Sequence, residues 1–408
     1  MNNYLIPVIL YPEIAITEGK GSYLFDASGK KYLDLNSGQF CTILGHSNKF
    51  LQEKIDSANA NLIHTSSGIL SDAVIKASVA INSLSGDLNA YSIFLSTGAE
   101  VIEFCLRYAK HITRKTGILC FDCGYHGLSL GAQSITFGGK YAVPSVSGVF
   151  SIPVVTEHSS KEYINDVLLK TKKILREHEI AAVIIEPVVS VGGMMFLSEY
   201  FLHELRCLCT KYETLLVFDE CQTGFGRLGH WFAYQKYNII PDMVATAKGI
   251  GLGYPVSLAM FNGSLVEFMD CSMTHYSSHQ NDAFAANVIL AGIEFITERK
   301  ILNEVKTNGE YFLRKLQILA EENKYVFYPR GQGLMLGINL KEITGIDSRI
   351  IYDDLNKTLL ENGILIQGTD RGRVLRFLPD YMIRKEDIDF GINIISKSIT
   401  EVYKKYDT

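Results

Sequence analysis

At 408 residues the chain exceeds what one compact core usually supports, so two domains or one large lobed domain is expected. Its 47% hydrophobic and 20% charged residues and net charge of −5 are ordinary for a globular protein and point away from nucleic acid or an anionic membrane as partner. The amino-terminal Met-Asn-Asn-Tyr-Leu-Ile-Pro has no signal-peptide pattern, and no run approaches the ~20 apolar residues of a membrane-spanning helix, so the chain reads as a cytoplasmic protein.

Residues 1–47 carry short strand signals punctuated by Gly and Asp, Gly21-Ser-Tyr-Leu-Phe-Asp and Gly29-Lys-Lys-Tyr-Leu-Asp-Leu, which predict a small meander. Across 48–290, helical stretches alternate with apolar runs at Tyr91–Leu95, Gly117–Phe121, Val149–Pro153, Ala182–Ile185, Leu215–Phe218, Met243–Thr246 and Val256–Met260. That alternation predicts an α/β domain with a mixed, mostly parallel sheet covered by helices. From 291 the pattern becomes α+β, opening with one long amphipathic helix expected over 291–322. Residues 291–408 are expected to pack with 1–47 as a smaller α+β domain built from both chain ends. The eight cysteines read as buried thiols; Cys120-Phe-Asp-Cys123 and Cys207-Leu-Cys209 lack the second pair that a zinc site needs.

Three places carry chemistry. Ser96-Thr-Gly-Ala-Glu100 follows the Tyr91–Leu95 run and opens a helix. Thr97 and Glu100 have capping-box spacing, and Gly98 and Ala99 fall in a first turn whose free N–H groups suit a phosphate. Asp219 and Lys248 each close an apolar run, at the carboxyl end where ligands bind in open α/β sheets. A lysine facing a carboxylate there suits pyridoxal 5'-phosphate (PLP): the amine joins the aldehyde, and the carboxylate keeps the pyridine nitrogen protonated. The Lys-Gly-Ile-Gly-Leu-Gly run from Lys248 follows a strand but lacks the βαβ unit with a ribose-binding acid that a dinucleotide loop requires.

Nearly the whole chain resembles the class III (ω-) aminotransferases, the fold-type-I PLP enzymes. The resemblance is carried by Phe218-Asp-Glu-Cys-Gln-Thr-Gly-Phe-Gly-Arg-Leu-Gly229 and Ala247-Lys-Gly-Ile-Gly-Leu-Gly-Tyr-Pro255. Gly45-His46, Ser96–Glu100, Tyr125-His126-Gly127, Glu186-Pro187 and Gly331-Gln-Gly-Leu-Met-Leu-Gly337 follow in the same order. It implies an aminotransferase working by a ping-pong mechanism through an internal aldimine on Lys248, moving an amino group from an amine or amino acid to an oxo acid such as 2-oxoglutarate or pyruvate. Asp219 is implied as the pyridinium partner, Tyr125 as the aromatic on the ring's open face with Cys221 beneath, and Gln222 as the partner of the ring 3-oxygen. Gly98 and Ala99 become the phosphate cradle, and His126 and Glu186 join the cofactor pocket. The resemblance also implies a homodimer with the active site at the interface, Ser278 (with Ser277 as fallback) reaching the partner's phosphate, and Arg376 clamping a substrate carboxylate.

The chain departs from the family pattern around the substrate. Val191 stands where many members carry a glutamate that masks the clamp arginine, so Arg376 is expected to stay exposed; Leu128 replaces a common arginine. Gln39 and Phe40 fall at a substrate-contacting position. Together these predict a polar but less charged substrate pocket. A PLP-dependent epimerase or decarboxylating transaminase on the same scaffold is the alternative, since the bond broken depends on geometry beyond the motifs. An inactive scaffold is disfavoured by the intact Lys248 and Asp219.

Overall fold

The structure is a computed structural model that describes residues 6, 14–139, 146–269, 275–369 and 372–407. Its centre is a seven-stranded sheet in the order Tyr91–Leu95, Ser257–Phe261, Met243–Thr246, Leu215–Asp219, Ile180–Ile185, Gly117–Phe121, Val149–Ile152. The Ser257–Phe261 strand runs antiparallel to both of its neighbours. The other pairings are parallel. Each of the seven apolar runs forms a strand, with ends shifted by a few residues at most.

Both faces of the sheet are covered, and the two-residue period of a strand divides its side chains between two cores. Leu119, Phe121, Val183, Ile185, Leu216, Phe218 and Val244 pack on one side with Ile164, Val167, Phe201 and Leu205 of the Lys161–Glu177 and Glu199–Lys211 helices. Ile118, Cys120, Ala182, Ile184, Val217, Met243 and Ala245 pack on the other with Val101, Ile102, Cys105 and Ala109 of the Gly98–Thr113 helix. Asp219 shares parity with Val217, so its side chain emerges on the face that the Gly98–Thr113 helix covers.

The chain ends meet in space. Ile16–Lys20, Tyr23–Asp26 and Lys31–Asp34 form an antiparallel meander, and Ile364–Leu365 adds to it in parallel, Ile364 opposite Leu33. A further antiparallel sheet contains Val326–Gln332, Met335–Leu340, Val374–Phe377 and Gln367–Thr369. The single helix expected over 291–322 is two, Ala283–Glu298 and Ile301–Glu322, separated by Lys300 in the left-handed conformation (φ 53°). The buried positions explain the break: the five-residue step from Ile296 to Ile301 does not match a 3.6-residue period, so one straight helix could not bury both sets.

Arg227 ties these parts together. It is 1% exposed and donates to the carbonyls of Leu334 (3.0 Å) and Pro379 (2.5 Å), while its plane lies over the Tyr381 ring. Gly333 makes the approach possible: it sits at φ 52°, and a Cβ there would lie 2.5 Å from the Arg227 carbonyl oxygen. Replacing Arg227 by Met should lower stability by at least about 2 kcal/mol, because charge-assisted hydrogen bonds are worth about 1.5–3 kcal/mol each and two buried carbonyls lose their donor. The shift of the urea midpoint at constant m-value checks this.

Candidate active site

The Leu215–Asp219 and Met243–Thr246 strands are parallel neighbours with Asp219 in register with Ala245. The chain leaves the second strand at Ala247, and Lys248 opens a 3₁₀ turn to Gly251 at φ 48°. Asp219 and Lys248 therefore stand at the same edge of the sheet, lining one cavity of about 360 Å³. The half-buried Lys248 amine has no ion pair or hydrogen-bond partner among the described residues, so it is available to a ligand.

Asp219 is 4% exposed and holds its charge through specific partners. Its Oδ2 lies 2.7 Å from Nδ1 of the fully buried His126, and its Oδ1 accepts the Cys221 N–H at 3.0 Å. Burial alone would raise its pKa, but the His126 hydrogen bond and charge, with the Cys221 N–H, hold it below the ordinary aspartate value. For His126, burial pulls the pKa down and Asp219 more than restores it, leaving it raised, so the two form a buried ion pair. Glu186 and Glu220 behave differently. Burial pushes each to about 7, although Glu186 accepts the Tyr125 N–H at 2.8 Å and Glu220 accepts those of Ala233 (2.5 Å) and Tyr234 (2.9 Å). Among these three buried carboxyls only Asp219 is held firmly anionic, as a partner for a protonated pyridine nitrogen must be.

The predicted capping box at the Gly98–Thr113 helix forms, with one difference. Thr97 caps the Gly98–Thr113 helix, its hydroxyl accepting the Glu100 N–H at 3.2 Å. The Glu100 carboxylate reaches back one residue further than a standard capping box, accepting the Ser96 N–H at 2.9 Å. Gly98 and Ala99 line the cavity at this helix start. Gly127, at φ 122°, passes so close that a Cβ would stand 3.1 Å from the Ala99 Cβ. Tyr125, His126, Glu186, Cys221 and Gln222 complete the predicted cofactor lining, and Leu128, Cys41 and Tyr254 also face the cavity. The buried Oε1 of Gln222 has no partner, as fits a residue that bonds a group the protein itself does not supply. A phosphate-ready helix start, an anionic carboxylate, a free amine and an orphaned amide around one cavity fit PLP.

The predicted substrate residues form a second cluster outside that lining. Arg376 does not stay exposed as expected; it is 5% exposed. It donates to Ser190 Oγ at 2.9 Å and Gln367 Oε1 at 3.1 Å, and its plane lies 5.1 Å from the Phe40 ring centre. Gln367 in turn donates to Gln39 Oε1 at 2.6 Å. Val191 contributes only its carbonyl, which accepts the Thr369 hydroxyl. Neutral oxygens thus occupy the guanidinium, no described carboxylate pairs with it, and its Nε is buried without a partner. Burial lowers its pKa to about 10, which leaves it charged. Gln39 and Phe40 reach this place through a left-handed run (φ 62° and 69°) held by Asp34, which accepts the Asn36 and Gly38 N–H groups. Ser278 is exposed and lies outside the cavity of this single chain. Gln367 and Ser190 were missed by the sequence reading because neither sits in a motif; only strand pairing of Gln367 with Arg376 brings it in. Cys120, Cys123, Cys207 and Cys209 are free thiols.

Residues 9–399 match the family model of class-III aminotransferases. The chain is 32% identical over 400 residues to an acetylornithine aminotransferase of Methanocaldococcus jannaschii, covering 96% of this chain and 94% of that protein. It is 30% identical over 395 residues to a LysW-aminoadipate semialdehyde/glutamate semialdehyde transaminase of Sulfurisphaera tokodaii, covering 96% of each. Among solved structures, a transaminase from the marine bacterium Virgibacillus superposes with a TM-score of 0.89 at 23% identity, over 97% of this chain and 94% of that one. A PMP-bound aminotransferase from Vibrio fluvialis gives 0.90 at 18%, over 98% and 97%. Fold and site together define a fold-type-I PLP-dependent enzyme. The chain belongs to the class-III aminotransferase family, and PLP is its cofactor.

Since His126 is what holds Asp219 below its ordinary pKa, His126→Leu should leave burial to dominate and raise it. The acid limb of the kcat/KM profile should then move to higher pH, with activity falling at neutral pH and partly recovering in weak alkali. An unmoved acid limb would place the controlling proton elsewhere.

Proposed function

We propose that this enzyme transfers an amino group from an amine or amino acid to a carboxylate-bearing oxo acid such as 2-oxoglutarate or pyruvate, in two half-reactions on one site. The observation that carries the reading is the meeting of Lys248, Asp219 and the Gly98–Ala99 helix start around one cavity. When bound, PLP supplies an electron sink for the bonds at the substrate's amino carbon. Lys248 would supply the amine that holds the cofactor's aldehyde and a base for the substrate's proton. Asp219, paired with His126, would be the partner of a protonated ring nitrogen. Gly98 and Ala99 would hold the phosphate by backbone N–H groups, Tyr125 and Cys221 would contact the ring, and Gln222 would bond its 3-oxygen.

Arg376 is the carboxylate clamp in this reading. Its present partners are an amide and a hydroxyl, which exchange for a carboxylate without breaking an ion pair. The relatives are named for acetylornithine and for aminoadipate and glutamate semialdehydes, which supports a substrate with an amine or aldehyde on a carboxylate-bearing chain. Leu128 and Val191 add no charge, so one carboxylate is recognised strongly. The reading includes a homodimer with the site at its interface. Exposed Leu62, Ile63, Ile69, Leu70 and Tyr276 support it by leaving apolar side chains in solvent, and Ser278 would serve the partner's phosphate. It also includes a small lobe made of residues 1–47 and 291–408, supported by the sheet that joins the two ends.

Lys248→Ala should abolish the borohydride-reducible link to the cofactor; the same link in that variant would end the assignment. Asp219→Ala should keep the link but lower turnover by several orders of magnitude, as measured by single-turnover absorbance. With a panel of amine donors tested against 2-oxoglutarate and pyruvate, Arg376→Met should raise the KM for the oxo acids on the order of 100-fold, the worth of a buried bidentate pair, and leave the half-reaction with carboxylate-free amines within a few-fold. Equal losses for both substrate kinds would remove Arg376 from the clamp role.

A further inference from the structure

Outside the cofactor cavity, two imidazoles and one carboxylate converge at the start of the Ala283–Glu298 helix. His64 Nδ1 lies 2.8 Å and His279 Nδ1 2.6 Å from the same oxygen, Asp282 Oδ2, and the two rings are 4.9 Å apart. Their ligand atoms all lie within 4.8 Å of one another. His64 comes from a segment more than two hundred residues earlier in the chain, so the fold and not a local turn assembles the three.

The carboxylate is prepared for this role. Asp282 is 5% exposed, and its Oδ1 is engaged as the helix cap, accepting the Phe284 N–H at 2.9 Å. That bond fixes the direction of Oδ2 and leaves it to the histidines, as outer hydrogen bonds orient metal-ligating carboxylates. One face is open: a cavity of about 220 Å³ is lined by all three side chains together with Ser96 and Pro255, which also line the cofactor cavity. Two neutral imidazoles and a carboxylate with an open fourth position are a donor set for zinc-like ions.

We propose that His64, His279 and Asp282 bind one divalent transition-metal ion of the zinc type, next to the loop that cradles the cofactor phosphate. At bond lengths of about 2.0–2.2 Å, three tetrahedral ligands stand roughly 3.3 Å apart, so each imidazole nitrogen must stand about half an ångström further from Asp282 Oδ2, and the two nitrogens must settle at the same spacing from each other. Nδ1 donates to Asp282 in the free site, so for it to become the ligand its proton must move to Nε2 or leave when the ion binds. Asp282 offsets one of the two positive charges and shields the helix start from the ion.

The test uses the full-length, tag-free holoenzyme, stripped with a chelator and dialysed against zinc. One ion per chain is expected, with His64→Ala and His279→Ala each weakening binding on the order of 100-fold, since even outer-sphere partners of a metal site are worth 10–100-fold. Asp282→Asn retains the capping oxygen and should weaken binding while keeping the wild-type melting temperature. Cobalt(II) in place of zinc should give the visible absorption of a low-coordinate nitrogen and oxygen site, absent from both histidine variants. No stoichiometric binding by the wild type, or binding by either histidine variant as tight as the wild type's, would overturn the proposal and leave the imidazoles as simple hydrogen-bond partners of a helix cap.

Discussion

The active site depends on one buried charge. Asp219 ends an apolar strand in a place where burial alone would raise its pKa, and an uncharged acid there would be a poor partner for a pyridinium. His126 prevents this at 2.7 Å, within a core that excludes water from both groups. The neighbouring Glu186 and Glu220 show the alternative. They accept backbone N–H groups, yet burial takes both to about 7. A cationic partner in contact, more than the number of hydrogen bonds, separates a firm anion from a carboxyl poised near neutrality.

Two buried guanidiniums show a complementary economy. Among the described residues no carboxylate pairs with Arg227 or Arg376; carbonyl, hydroxyl and amide oxygens accept from their terminal N–H groups. For Arg227 the Leu334 and Pro379 carbonyls are fixed backbone, and the Ser37 hydroxyl adds a contact from the amino-terminal part of the chain at 3.4 Å. For Arg376 the oxygens belong to the side chains of Ser190 and Gln367, which can turn away. The Arg227 guanidinium is thus held mainly by backbone and that of Arg376 by side chains, whose acceptors are freer to rotate.

The seven strands, the capped phosphate helix and the Asp219–Lys248 pair were legible because each is written locally. An apolar run between turn residues is a buried strand, a Thr-x-x-Glu step is a helix start, and a charge closing such a run must face a site. The break at Lys300 was also written locally, as the five-residue step between Ile296 and Ile301, but the overall amphipathic pattern concealed it. Arg376 was found through its motif, while its burial was not: exposure depends on what the Phe40 ring and the Gln367 strand place over it.

By itself the sequence determined the fold class, the family and most of the residues that line one cavity, since periodicity, capping and motif order are properties of short segments. Only the tertiary structure decided that Asp219 meets a histidine ninety-three residues away, that Gln367 and Ser190 cover an Arg376 expected to stay exposed, and that His64 meets His279 and Asp282. Those are contacts between segments distant in the chain, and no local pattern encodes the distance between two strands' ends until the sheet has set their register.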